Sequence, residues 1–290
     1  MRKPAILILI CLLFTAVGAQ AAHYSDTYVI PIVGHVEGAN GTMWMSDVAI
    51  RNFSNQPLTV QLVFIESGFN TFDNIFPLIT DDIDGSVTVT ANSTVLLRDI
   101  LEGYEQMNVS GALLLGGDAP FAVTSRAYSS DSPLGQTVEP QRDFLDSSLG
   151  TVDNAAFAYI PGIMQNAMTR TNVGFVAGNA GSSAPMVVEV VARNGAGGTV
   201  GTHRTTIPAG TLFHTQFALS RMVSSSFDVG SVDVRVVEGE GVVIPYASLV
   251  DNTSGEAAFL MGVFPESVTP TALSPRINLF RSLIERATTL

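Results

Sequence analysis

Residues capable of acid-base or nucleophilic chemistry are few and scattered in this chain of 290 residues. There is no Gly-x-Ser-x-Gly elbow, no His-x-x-x-His pair and only one cysteine, so the usual sequence signatures of a serine hydrolase and of a zinc site are missing. No histidine stands beside a serine and an acid in a recognisable order. The pattern predicts no catalytic residue, no cofactor and no metal site, and a protein that is not an enzyme. The four histidines are His23, His35, His203 and His214.

An acidic stretch at 80–85 is the main exception. It imitates the start of an EF-hand loop, but the twelfth position is Ala91, where calcium would need a bidentate glutamate. Whether this loop binds calcium stays open. The same cluster also supports an alternative hypothesis, a carboxylate-dependent hydrolase acting through Asp81, Asp82 and Asp84, although no second carboxylate across a sugar cleft can be identified.

Aromatic side chains allow another alternative, a carbohydrate-binding module of the cell envelope. Trp44 is the only tryptophan and lies in an alternating segment, which favours core packing over sugar stacking. The carbohydrate hypothesis predicts that Trp44, Tyr128 or Tyr246 is exposed on a flat face.

The first residues have the pattern of a secretory signal peptide over 1–21. A basic start at Arg2 and Lys3 precedes the apolar run 6–17 and the small residues 19–21. This run is short for a membrane span, so an uncleaved anchor is the less favoured interpretation. We expect a secreted or periplasmic protein that has no membrane span after signal removal. Because Cys11 leaves with the signal, the mature chain would contain no disulfide.

Charge narrows the classes of partner. The full chain has a formal net charge of −12, and signal removal leaves twelve arginines against 26 acidic residues, a formal charge of −14. Such a surface repels nucleic acids and anionic lipids. Loss of Lys3, the only lysine, also removes any Schiff-base or Walker lysine.

The elements that position these residues are predicted to be antiparallel strands. Apolar and polar residues alternate over 44–51, 59–64 and 232–237, and clusters of Gly, Asn, Ser and Pro separate these runs. Two short helical connections are predicted at 98–107 and 216–223. The fold class is therefore all-β.

The chain also repeats itself with a period typical of a whole sandwich domain. The segment 30–135 can be laid on 160–255, with Ser46-Asp47-Val48 over Thr171-Asn172-Val173 and 121–128 near 242–249. Asp47 and Asn172 then occupy matched positions, where each is expected to accept backbone hydrogen bonds from a preceding turn.

This repeat divides the chain into segments. We predict a signal peptide at 1–21, a first β-sandwich at 24–148 and a second at 156–270, joined by a polar linker within 143–155. The tail 271–290 is predicted to form a short amphipathic helix, because Ile277, Phe280 and Ile284 recur at helical spacing.

The motifs around these matched positions resemble those of a group of uncharacterised secreted bacterial proteins with tandem immunoglobulin-like β-sandwich repeats. The similarity is carried by 41–52, 123–128, 170–175 and 246–255, and it spans nearly the whole mature chain. The resemblance implies two immunoglobulin-like domains and an envelope or extracellular address, but no activity. The working hypothesis is a non-catalytic binding or structural protein whose partner is an unknown protein or polysaccharide of the envelope.

Overall fold

The chain folds almost entirely into antiparallel strands in a computed structural model that describes residues 24–38, 41–68, 75–80, 83–104, 108–130, 132–142, 157–179 and 182–263. Within these ranges the helical structure of three residues or more is a single 3₁₀ turn, Leu219–Arg221, and no helix has the length and apolar character needed to cross a bilayer. The all-β prediction is confirmed. The predicted signal peptide and tail helix lie outside the described residues.

Seventeen strands are described, nine before residue 143 and eight after residue 157. We call these two groups the first half and the second half. In the first half they are β1 Ser25–Glu37, β2 Met43–Asn52, β3 Leu58–Glu66, β4 Ile75–Pro77, β5 Ser86–Val89, β6 Thr94–Leu97, β7 Val109–Ser129, β8 Ser132–Val138 and β9 Gln141–Arg142. In the second half they are β10 Ala158–Gln165, β11 Thr169–Gly178, β12 Met186–Asn194, β13 Thr199–Ile207, β14 Leu212–Ala218, β15 Phe227–Glu238, β16 Val242–Asp251 and β17 Ala257–Met261.

In the first half one long strand belongs to both layers. The 109–117 part of β7 pairs with β1 and β3, whereas its 121–129 part pairs with β2 and β8. The result is one layer in the order β5-β3-β7-β1 and another in the order β6-β2-β7-β8. Their facing side chains form the first core, which includes Ile30, Ile50, Leu62 and Phe64.

The second half has the same pairing order in two separate sheets. One sheet runs β13-β12-β15-β10 and the other runs β14-β11-β16-β17. The second core between them includes Ile160, Phe175, Val190 and Val234. Here β15 and β16 are separate strands, joined through Gly239 and Gly241, where the first half has the continuous β7.

The registers correct the sequence alignment of the halves by one residue. Asp47 lies opposite Arg126, and the matched Asn172 lies opposite Ser248. Arg126 therefore corresponds to Ser248, whereas alignment of 121 with 242 would match it with Ala247. A shift of one residue exchanges the two faces of a strand, so this correction decides which side chains are equivalent.

The two helical connections are shorter than predicted. In the second half only Leu219–Arg221 is helical, and in the first half residues 98–103 form bends and turns. Both segments do lie at the same place in the strand order, between β6 and β7 and between β14 and β15.

The outward positions of the strands depart from simple alternation. In β3, Val63 and Ile65 point away from the first core, yet both are buried. The reason is a third apolar cluster, which we call the shared core, between the β5-β3-β7-β1 layer and the β14-β11-β16-β17 sheet. It comprises Val29, Val63, Ile65, Ala112 and Leu114 of the first half and Val176, Leu212, Val242 and Ile244 of the second half. The four sheets are thus stacked, and the two inner sheets are covered on both faces.

A candidate binding cleft between the two halves

A cleft of about 180 Å³ opens beside the shared core, where β1 and β2 of the first half face β11, β14, β16 and β17 of the second half. Its apolar wall includes Ile32, Val36, Met45 and Phe259. Six other side chains of the lining contribute an indole ring and hydrogen-bonding groups. They are Glu37, Trp44, Arg170, Asn172, Gln216 and Ser248.

Strand alternation places the polar groups of the second half in this cleft. Thr171 and Val173 on β11 are fully buried, so the intervening Asn172 points to the other face of the sheet. The neighbouring strands bring Ser248 opposite Asn172, and Gln216 opposite Gly174. The cleft is therefore lined by the outward face of the same sheet that contributes to the shared core.

Several of these groups retain unused hydrogen-bonding capacity. Arg170 Nη1 donates to Asn252 Oδ1 at 2.8 Å, and no carboxylate of the described ranges lies within ion-pair distance of Arg170. Asn172 Nδ2 donates to Ser248 Oγ at 3.3 Å. Among described residues, neither the Gln216 amide nor the Trp44 indole N–H has a hydrogen-bond partner. These donors and acceptors can bind a polar ligand without breaking an internal bond.

Trp44 has a position that neither sequence interpretation specified. It is half-buried against Gly38, where a Cβ atom would come within 2.6 Å of Trp44 Nε1, and it lines the cleft. Of the two tyrosines proposed as flat platforms, Tyr128 lies beneath the Arg126 guanidinium at 4.8 Å and Tyr246 is fully buried. The prediction of an exposed platform is therefore wrong for Tyr246.

A buried pair of second-half side chains lies where the two halves meet, and Tyr246 packs in the first core. His214 Nε2 and Tyr246 Oη are 2.8 Å apart, and both side chains are fully buried. The Tyr246 ring lies across Gly174, where a Cβ atom would meet it at 2.3 Å, so glycine is required there. The Gly68 N–H of the first half donates to the His214 carbonyl oxygen at 2.9 Å. Burial lowers the pKa of His214 to about 3, so the ring is neutral at physiological pH.

His214 lies on β14, paired with Val176 of β11, and is fully buried between strands. His203, by contrast, is exposed on β13 and contacts the Phe217 ring at 4.7 Å between centroids.

The other described histidine belongs to a polar network in the first half. His35 Nδ1 and Asp99 Oδ2 are 2.8 Å apart, and the Asp99 backbone N–H donates to Asp47 Oδ1 at 2.9 Å. Arg126 donates two hydrogen bonds to Asp47 Oδ2, at 2.6 and 3.0 Å. This network connects β1, β2, β7 and the turn after β6.

The carboxylates of this network are shifted in opposite directions. Burial alone would raise the pKa of Asp47, but hydrogen bonds from the Asp99 backbone and Arg126 outweigh it and lower that pKa. Burial raises the pKa of Asp99, and His35 opposes this shift only in part. Burial and the Asp47 carboxylate raise the pKa of Tyr128 to about 12. Asp47 is therefore an ionised structural anchor for Arg126.

The matched positions Asp47 and Asn172 do not share the role expected of them. Asp47 accepts a backbone hydrogen bond, but the donor is Asp99, in the turn after β6. Asn172 donates to a side chain across the sheet instead. The sequence pattern had identified equivalent places without revealing what faces each of them.

The acidic stretch yields no assembled site among the described residues. Asp84 pairs with Ile79 in a β-bridge, while Asp81 and Asp82 lie outside the described ranges. In the part of the chain that the structure describes, no three His, Cys, Asp or Glu side chains are grouped to hold a metal ion.

Comparisons with known proteins give no family assignment. No family model and no characterised protein sequence matches the chain. Two solved structures with a weak likeness are a Bacteroides uniformis β-glucuronidase (8% identity, TM-score 0.19) and a glycosyl hydrolase family 2 member from Bacteroides cellulosilyticus (6% identity, TM-score 0.17). The likeness spans 77% of this chain but only 26% and 28% of those chains. A biofilm-associated protein BSP domain is similar over 85% of this chain and 68% of its own length, at 10% identity and a TM-score of 0.12.

Proposed function

We propose that this chain is a non-catalytic binding protein whose ligand site is the cleft between the two halves. The observation that carries this proposal is the composition of the cleft, in which Trp44, Arg170 and Gln216 offer hydrogen-bond donors that no described residue uses. A mostly apolar concavity with a few convergent polar groups is the usual form of a small-molecule site.

Because both halves line the cleft, their fixed packing on each other holds the two walls of the cleft in place. The shared core, the backbone hydrogen bond from Gly68 to His214 and the packing of Tyr246 in the first core fix the two walls relative to each other. Such preorganisation lowers the entropic cost of binding, since the walls need no ordering when the ligand enters. A flexible pair of domains used only as a spacer would not need this contact.

The chemistry of the polar network supports a non-enzymatic role. The His35–Asp99 pair has the geometry of a base with its orienting acid, but the nearby Ser46 Oγ accepts a hydrogen bond from the Gly34 backbone and lies 2% exposed. Hydrogen bonds from the Asp99 backbone and from Arg126 outweigh burial, lower the pKa of Asp47 and keep it ionised. These groups all connect strands, which is a structural use of polar residues.

The cellular setting is proposed from the sequence. A signal peptide at 1–21 would deliver the protein to the periplasm or the cell exterior, where a polysaccharide or a protein of the envelope would supply the ligand. The common strand order of the halves supports an origin as two tandem immunoglobulin-like sandwiches. A carbohydrate-binding module is the form of this function that Trp44 favours, because indole rings stack on sugar faces.

The single tryptophan makes this proposal directly testable. Because Trp44 lines the cleft, we expect a ligand bound there to change its fluorescence saturably. The mature protein would be titrated with neutral and acidic monosaccharides and with the common amino acids. Gln216→Ala is expected to weaken binding about 5-fold, the value of one lost hydrogen bond of ~1 kcal/mol.

The matched control is Gln56→Ala, because Gln56 is exposed and lies outside the cleft lining. This control is expected to bind as the parent does. The proposal would be rejected if no probe in the panel gave a saturable change, or if both glutamine variants bound as tightly as the parent.

A further inference from the structure

We infer that the ligand of the cleft is an acidic sugar, a single ring that carries a carboxylate. This inference rests on the proposed function and names its ligand class. Its basis is the juxtaposition of one uncompensated guanidinium, an indole and an array of amide groups in a cavity of ring-like size.

Arg170 is the cation of the cleft. Its Nη1 is occupied by the amide oxygen of Asn252, a neutral acceptor, and the described carboxylates all lie beyond ion-pair distance. The situation differs from that of Arg126, Arg193, Arg204 and Arg235, each of which is bonded to an aspartate or glutamate. The remaining N–H groups of Arg170 form a planar fork, which matches the two oxygens of a carboxylate.

The other polar groups of the cleft match hydroxyl groups. Gln216 and Asn172 each present an amide, which can donate and accept, and the Trp44 indole N–H only donates. Glu37, exposed at the edge of the cleft, accepts. A hydroxyl group both donates and accepts, so a polyol ring can satisfy this mixed set, whereas an aliphatic or aromatic acid would leave most of it unpaired.

The size and the apolar wall also fit one ring. A volume of about 180 Å³ is below the roughly 300–1,000 Å³ of pockets for drug-sized ligands, so the occupant must be small. The Trp44 indole and the side chains of Val36 and Phe259 give an apolar surface for the C–H face of a sugar. A terminal acidic sugar of a polysaccharide would meet the same groups as the free monosaccharide.

The overall charge of −14 expected for the mature chain opposes an anion at long range. Surface charges are screened beyond about 8 Å at physiological ionic strength, however, so the balance within the cleft is set by the charges that line it, Arg170 inside and Glu37 at the exposed edge. Selectivity for the acidic sugar over its neutral counterpart should therefore persist at physiological salt.

The test compares paired probes that differ only in the carboxylate. Trp44 fluorescence and calorimetry would measure the affinity of the mature protein for D-glucuronic acid against D-glucose and for D-galacturonic acid against D-galactose. We expect at least one acid to bind about tenfold or more tightly than its neutral partner. Arg170→Gln should abolish this preference while changing the affinity for the neutral sugar less than threefold.

Two further variants test whether loss of the preference for the acidic sugar is specific to the Arg170 guanidinium. Arg221→Gln removes an exposed arginine outside the cleft lining and should keep the preference. Arg170→Lys keeps the charge but not the fork, and an intermediate preference is expected. Thermal melts of every variant show whether each is folded.

Failure of the acidic-sugar assignment can be distinguished from failure of the cleft as a binding site. Equal binding of acid and neutral sugar, or a preference that survives in folded Arg170→Gln, overturns the acidic-sugar assignment and leaves the cleft as a binding site. Binding of an amino acid but of no sugar overturns it as well. If no probe changes Trp44 fluorescence, the proposed function fails and the ligand class fails with it.

Discussion

The β5-β3-β7-β1 layer of the first half and the β13-β12-β15-β10 sheet of the second half have the same strand order, but their outward faces have different surroundings. In both halves the inward side chains are apolar, with Leu62 of β3 in the first core and Val190 of β12 in the second. Outward, the first half places Ile65 and Leu114 in the shared core. On the same face of the second half, which we call the open face, Thr202, Arg204 and Arg235 are exposed, although Glu189 and Val191 are buried.

The residues on the open face differ accordingly. The registers pair Val63 with Leu114 and Val191 with Asp233, so Asp233 stands where the first half has Leu114. Asp233 accepts a hydrogen bond from Arg193 Nε at 2.6 Å. The same strand order therefore carries an apolar docking face in one half and ion pairs in the other, and side-chain type alone decides which sheet is covered.

The largest expected effect comes from placing an aspartate, as the open face has at Asp233, at the equivalent position Leu114 of the shared core. Leu114→Asp would bury an unpaired carboxylate in the shared core, and we expect it to lower the free energy of unfolding by more than ~3 kcal/mol or to prevent folding. Urea unfolding of the mature protein measures the change. The matched control, Asp233→Asn on the open face, should cost only ~0–1 kcal/mol. Similar losses for the two variants would show that the faces are not different in kind.

As the pH falls, the buried His214 where the halves meet should lower the free energy of unfolding at a higher pH than the ion pairs of the open face do. His214 has a pKa of about 3 when folded and 6.5 as its ordinary value, so the unfolded chain binds the extra proton. Stability should therefore fall as the pH drops below about 6.5, by up to ~1.4 kcal/mol per pH unit. Asp47 and Glu189, whose folded pKa values are lowered, add losses of the same sign only near and below their ordinary values of 3.8 and 4.5. Asp99, whose pKa is raised, acts in the opposite direction.

The measurement is chemical denaturation between about pH 5 and pH 7, where His214 should dominate. His214→Gln should flatten the dependence, although it will also lower stability at neutral pH. The exposed His203 provides the control, since His203→Gln should leave the slope unchanged. A slope that persists in His214→Gln would show that another group controls acid stability.

The smallest effect is expected from making the open face resemble the covered one. Glu189 accepts hydrogen bonds from Arg204 and Arg235, whereas the corresponding position of β3 is Gln61. The Glu189 side chain is only 4% exposed, but Arg204 and Arg235 are 60% and 48% exposed and remain hydrated without it. Since glutamine also keeps one oxygen acceptor, Glu189→Gln should cost ~1 kcal/mol or less and should cost least at high salt. Urea unfolding at two salt concentrations tests this expectation. A loss above ~3 kcal/mol, the range for breaking a buried pair, would contradict it.

The local features of this fold could be predicted from sequence because they depend on neighbouring residues. The turn at 251–255 lies where its Asp, Asn, Ser and Gly residues indicated, with Asp251 Oδ1 accepting the backbone N–H groups of Thr253 and Ser254 at 2.8 Å each. The strand before it ends at Asp251, and the next begins at Ala257. Such contacts span two or three residues, so composition and spacing determine them.

The shared core had a signal that sequence reasoning did not use. Residues 62–65 and 112–115 are continuous apolar runs rather than alternating ones, which is typical of strands buried on both faces. The runs show that a second layer covers these strands, but they do not say which surface provides it. That surface comes from Val176, Leu212, Val242 and Ile244, all of which lie in the other half of the chain.

By itself, then, the sequence determined the strands and the turns, because alternation and turn residues act over short distances. Only the tertiary structure decided that the halves share a core, that His214 is buried against Tyr246, and that Trp44 meets Arg170 and Gln216 in one cleft. These are contacts between surfaces that are distant in the chain, and the local sequence pattern of one surface does not specify the other. Packing of one sheet face on another is what brings them together.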